Sequence, residues 1–112
     1  MSQITTHILD TSLGRPAAGV SVLLLQATDS GWQDLANGVT NADGRISDLL
    51  PPTTQLAVGI YKLAFVVQEY FERQGVKAFY PVVEICFAVT AAEHYHVPLL
   101  LNPFGYSTYR GS

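Results

Sequence analysis

The feature that most constrains this chain is strict alternation of apolar side chains. If Val58 to Val67 is extended, Gly59, Tyr61, Leu63, Phe65 and Val67 all fall on one face, and Val83, Ile85, Phe87 and Val89 do the same in Val82 to Val89. Period two is the pattern of a strand with one face in a core, because successive side chains point to opposite sides of the pleat. These runs are short and are cut by Gly14 and Pro16, Asp29-Ser30-Gly31, Asn41-Ala42-Asp43-Gly44, Pro51-Pro52-Thr53-Thr54 and Asn102-Pro103-Phe104. Such residues set or tolerate the dihedral angles of turns, so the chain reads as short strands joined by tight connections.

The remaining segments fit that reading. Ile4 to Leu9 and Val20 to Ala27 form either one bent strand or two consecutive strands, re-aimed at Gly14 and Pro16, and Trp32 to Val39 forms the next. The Asn-Ala-Asp-Gly run predicts a hairpin, with Arg45 leaving its tip. Gln68 to Gln74 has neither Pro nor Gly and stops at Gly75, which predicts one or two helical turns between strands. His94 to Leu101 and Gly105 to Arg110 close the series across the Asn102 corner. Seven to eight short strands, with a turn signal about every 8 to 12 residues, predict an all-β sandwich with one short helix, a single domain over residues 1–112.

Composition removes several function classes. With 48% apolar residues among 112 there is material for one core. A domain of this size still exposes much of its surface, so an enclosed pocket calls for a second subunit and the chain is expected to oligomerise. Six Lys and Arg stand against nine Asp and Glu, a net charge of -3, and no window clusters the cations that phosphate binding needs, which excludes a nucleic-acid partner. No apolar run approaches the roughly 20 residues that cross a bilayer, and MSQITTHILD lacks the basic and apolar regions of a secretory signal. No membrane role is expected, and the cytosol is the default location, with export of a longer precursor still open. Cys86 is the one cysteine, so there is no internal disulfide; within Val83 to Val89 it is expected to pack as a small hydrophobe.

What remains for chemistry is a small polar set. In an extended His94 to Leu99, His94, His96 and Pro98 share one face and Tyr95, Val97 and Leu99 the other; Thr5, His7 and Leu9 share a face opposite Ile4, Thr6 and Ile8. Surface residues on half-exposed strands would show the same parity. Arg45 and the closing Tyr109-Arg110-Gly111-Ser112 add a fixed cation and an unusual tail. Hydrolysis of a polar heterocycle needs a base titrating near neutrality and a cation for a developing oxyanion, which His and Arg supply. The sequence contains no nucleophile elbow, phosphate-cradling loop, HExxH or CxxC motif. His94 and His96 could ligate zinc with His7, but no carboxylate or thiolate is evident on the same face and a three-His site would also need second-shell partners, so no metal is expected.

Three stretches carry a resemblance: TTHILDTSLGRPAAGVSV at Thr5 to Val22, TNADGR at Thr40 to Arg45, and HYHVPLLLNPFGYSTYRGS at His94 to Ser112. Together they make the whole chain similar to the 5-hydroxyisourate hydrolases, the transthyretin-related enzymes of purine catabolism. The ending YRGS is the most specific element, because the hormone-carrying transthyretins run differently there. Asn102 departs from the more usual Ser before Pro-Phe, at a corner. The resemblance implies a transthyretin-like sandwich assembled as a homotetramer, a dimer of dimers, with active sites in a channel between dimers. It implies cofactor-free opening of 5-hydroxyisourate to 2-oxo-4-hydroxy-4-carboxy-5-ureidoimidazoline. Residue by residue it implies His7, Arg45, His96 and Ser112 as catalytic, Ser112 through its hydroxyl or a terminal carboxylate. His7, Arg45, Tyr109 and Arg110 are implied to hold the small-molecule substrate, and His94 matches a frequent neighbour. The rival is a transthyretin-type carrier, which would want an apolar channel lining.

Overall fold

The computed structural model describes residues 2–112, which form nine strands and one helix. β1 (Ile4–Asp10), β2 (Arg15–Pro16), β5 (Arg45–Ile46), β8 (Tyr95–Asn102) and β9 (Gly105–Thr108) make one sheet; β3 (Ser21–Thr28), β4 (Gly31–Val39), β6 (Gly59–Val66) and β7 (Val82–Val89) make the other. The second sheet runs β4-β3-β6-β7 with antiparallel neighbours throughout. In the first, β1 pairs in parallel with β8 on one side, while its other edge takes β5 and then β2.

The alternation seen in the sequence fills the space between the sheets. Val22 and Leu24 of β3, Tyr61, Leu63 and Phe65 of β6, Val83 and Ile85 of β7 and Val97, Leu99 and Leu101 of β8 are all buried, with Ile4 and Ile8 from β1. Thr6 lies between those two isoleucines and is also buried, its hydroxyl donating to the Val97 carbonyl at 2.7 Å, so its polarity carries no desolvation penalty. Helix α1 (Gln68–Arg73) buries Tyr70 and Phe71 and stops at Gly75, as its sequence predicts, with the Val76 N–H bonded to the Phe71 carbonyl. Asp10 ties that helix to β1: its carboxylate accepts from the Ser12 and Leu13 N–H groups and, at 2.7 Å, from the Tyr70 hydroxyl.

Of the two alternatives for the start of the chain the structure takes the second: Ile4–Asp10 and Ser21–Thr28 are separate strands, in opposite sheets, because Arg15–Pro16 folds back onto the end of β1 between them. Three expectations need correction. The Asn41 to Gly44 turn forms, yet it does not close a hairpin: β4 and β5 on either side of it belong to opposing sheets. The crossing follows buried Thr40, whose main chain still pairs with Gly19 and Val20 and whose hydroxyl donates to Ala17 O and accepts from Val20 N–H. The strand count exceeds seven or eight because Arg15–Pro16 and Arg45–Ile46 are too short to show periodicity. Cys86 is exposed, on the outer face of β7 opposite Lys62 rather than in the core, because the core takes the other parity of that strand.

Candidate active site

The site is built on the outer face of β1. Backbone pairing sets His7 opposite Arg45 of β5 on one side and opposite Pro98 of β8 on the other, while Thr5, two residues earlier on the same face, is opposite His96. Side chains directly across a ladder are neighbours, so register alone brings together residues distant in the chain. Arg45 is aimed by the preceding turn. The Asn41 side-chain oxygen accepts from the Arg45 and Asp43 N–H groups, and Gly44, at φ 71°, lies so close to β1 that a Cβ would come within 2.5 Å of the Ile8 carbonyl oxygen. Only glycine combines that left-handed dihedral with that approach.

The rings of His7 and His96 stack with centroids 6.3 Å apart and an interplanar angle of 15°, and His94 and His96 do so at 6.3 Å and 21°. His96 is thus common to both stacks. Beneath them the buried Thr5 hydroxyl lies 2.8 Å from His94 Nε2 and 2.8 Å from His96 Nδ1. The tail folds back over β8: the Thr108 hydroxyl donates to the Pro98 carbonyl at 2.7 Å and the Gly111 N–H to the His96 carbonyl at 2.9 Å. A Cβ at Gly111 would stand 2.5 Å from His96 Cδ2 and 3.2 Å from Pro98 Cγ, so the tail lies directly on the ring.

Two clefts meet at His96. One, of about 300 Å³, is lined by Thr5, Arg45, Ser47, His94, His96 and Ser112. That is at the lower end of the range of about 300–1,000 Å³ for small-molecule sites. The other, of about 310 Å³, lies toward β7 and carries Tyr109 and Arg110 with Phe87, Tyr95 and Thr108. The structure therefore gathers Arg45, His96 and Ser112 around one space, with His7 stacked beside it, and turns Tyr109 and Arg110 to the far side of His96. Arg110 is occupied there: it pairs with Glu93 at 3.1 Å and lies over the Tyr95 ring at 4.5 Å, which anchors the tail. Tyr109 remains 57% exposed.

Electrostatics favour neutral imidazoles. Burial and then the Arg45 guanidinium push the His7 pKa below the ordinary 6.5. Burial and Arg45 do the same to His96, reinforced by His7 and His94 and opposed by the Thr5 main chain. Two neutral rings beside a guanidinium can take a proton from a water and stabilise negative charge on the group it attacks. Thr5 is the polar contact that residue-type reasoning passed over. Its parity with His7 is legible in the sequence, whereas its position under both His94 and His96 depends on the parallel pairing with β8.

Residues 4–111 match the HIUase/Transthyretin family. The chain is 46% identical over 114 residues to a mouse protein named 5-hydroxyisourate hydrolase, covering 99% of this chain and 96% of that one. Its fold is similar to the structure of Klebsiella pneumoniae 5-hydroxyisourate hydrolase, with TM-score 0.85 and 40% identity over 97% of this chain and 98% of that one. It is also similar to sea bream transthyretin in complex with thyroxine, with TM-score 0.90 and 34% identity over 98% of this chain and 95% of that one. With that match over nearly all of its length, on a transthyretin-like sandwich, the chain belongs to the HIUase/Transthyretin family.

Proposed function

We propose that this chain hydrolyses 5-hydroxyisourate, as its mouse and Klebsiella relatives are named for doing. The reaction is the opening of a cyclic amide: water adds to the ring carbonyl, the carbonyl–nitrogen bond breaks, one water proton goes to the leaving nitrogen and the other is lost as the carboxylate forms. The observation that carries this reading is the register of β1, which brings Arg45, His7 and His96 onto one face beside Ser112. The His96 Nδ1 lies 2.8 Å from the Thr5 hydroxyl, and with its proton on that nitrogen the ring accepts the water proton at Nε2. His7, held below its ordinary pKa by burial and Arg45, orients the same water. Arg45 holds the electron-rich heterocycle and the developing oxyanion. Ser112 closes the cleft with a hydroxyl, and Tyr109 and Arg110 serve through the tail that carries it.

The backbone does not separate enzyme from carrier, since the thyroxine-bound sea bream protein superposes at least as well as the Klebsiella hydrolase. The side chains do. An apolar aromatic ligand gains little from a guanidinium and imidazoles that it would desolvate without pairing, and a polar heterocycle gains from each. The cleft of one subunit is open, and assembly of this face against a second copy, in a homotetramer, closes it. The test is to generate 5-hydroxyisourate from urate in the cuvette and follow its ultraviolet decay. The protein accelerates that decay, and His96→Ala or His7→Ala reduces the acceleration by about 10²-fold with the fold intact. Decay at the spontaneous rate with wild-type protein would overturn the reading.

A further inference from the structure

We propose that Thr5 is a positioning residue that holds His96 in the tautomer with the proton on Nδ1, using His94 as the acceptor of its own hydroxyl proton. The inference rests on the hydrolytic reading for its consequence, and on geometry alone for the tautomer. Thr5 Oγ1 lies 2.8 Å from His96 Nδ1 and 2.8 Å from His94 Nε2. A hydroxyl has one proton and two lone pairs, so it donates to one of these rings at most. If it donates to His94 Nε2, the bond to His96 requires a proton on His96 Nδ1, and His96 Nε2 is left with the lone pair that a general base needs. If it donates to His96 Nδ1, Nε2 carries the proton and the ring is a donor. One buried proton thus couples the two imidazoles.

The exposure of His94 favours the first arrangement: solvent can satisfy its Nδ1–H while its Nε2, 2.8 Å from the Thr5 hydroxyl, turns inward as the acceptor. The arrangement also suits the moment of reaction. When His96 Nε2 takes the water proton, the Nδ1–H bond to Thr5 becomes charge-assisted and strengthens as the imidazolium forms. Thr5 belongs to the cleft wall but exchanges no proton with the attacking water in this scheme and acts through His96, as the orienting carboxylate acts through the histidine of a serine protease.

The experiment combines kinetics with nitrogen-15 NMR of the histidine rings in the complete protein. Thr5→Val keeps the shape of the side chain and removes the hydroxyl. It is expected to lower kcat about 10-fold with KM changed less than twofold, since a bond that strengthens only in the transition state is lost. Thr5→Ser restores the rate to within about threefold of wild type. His94→Ala has the smaller effect, and Thr5→Val combined with His94→Ala is no slower than Thr5→Val alone, because both act through one hydroxyl. In the NMR spectra His96 carries its proton on Nδ1 in wild type and shifts toward the Nε2–H form in Thr5→Val. A wild-type His96 already in the Nε2–H form, or a Thr5→Val enzyme with unchanged kcat, would sink the proposal. Wild-type protein with no hydrolysis but an Nδ1–H His96 would instead fell the reading of the function and leave the tautomer assignment standing.

Discussion

Gly111→Ala isolates what the tail contributes. An added Cβ would sit 2.5 Å from His96 Cδ2 and 3.2 Å from Pro98 Cγ, while ordinary van der Waals contact begins at 3.4 Å. Relief therefore needs a displacement of roughly 1 Å, the scale at which misplacement costs about 10²-fold in rate. The His96 ring is poorly able to yield, since Nδ1 is held by Thr5 and its flanks are stacked on His7 and His94. The tail yields instead, stretching the 2.9 Å bond from Gly111 N–H to the His96 carbonyl and carrying Ser112 out of the cleft. The core is untouched, so melting temperature should move by no more than a degree or two. Activity in the ultraviolet assay should fall between about 10-fold and 10²-fold. Full activity with an unchanged melting temperature would show that the tail can shift by that distance without consequence, and the part given to Ser112 would be lost.

The pH–rate profile should be flat near pH 7 and fall only through an apparent pKa below 6.5, because His7 and His96 are both shifted down and the base works unprotonated. Arg45→Gln, which removes the coulombic contribution at both rings, should move that limb up toward 6.5; a wild-type limb above 6.5 would contradict the electrostatics. Asp10→Asn should destabilise the fold at pH 7 by about 2–3 kcal/mol, since a carboxylate accepting several bonds is replaced. Burial raises the Asp10 pKa, but bonds from Ser12, Tyr70 and Leu13 outweigh it and the net shift is downward from 3.8, so its contribution is present above that value and disappears as pH falls through the lower folded pKa. Acid titration followed by circular dichroism should show wild type losing more stability than Asp10→Asn below pH 4. Light scattering at micromolar concentration should give the mass of a tetramer, and a monomer mass would remove the closed channel from the mechanism.

Much of this was legible in one dimension. The alternation in Val82–Val89 and in the run through Tyr61, Leu63 and Phe65 determined which residues enter the core, because a strand with one buried face allows only one parity. The same parity turned Thr5, His7, His94 and His96 away from that core, and the absence of Pro and Gly before Gly75 marked the helix. Tertiary structure decided the partners. Nothing local to Asn41–Arg45 says whether the next strand returns beside β4 or crosses to β1; in the fold it crosses, and Arg45–Ile46 pairs with Thr6 and His7. That crossing sets Arg45 against His7, and the parallel pairing of β1 with β8 sets Thr5 under His96 across roughly ninety residues of chain. Side-chain direction along a strand follows from local backbone geometry, so the sequence by itself determined it. Adjacency between strands is the outcome of competing long-range pairings, each with its own loop-closure entropy and burial, and only the folded chain resolves that competition.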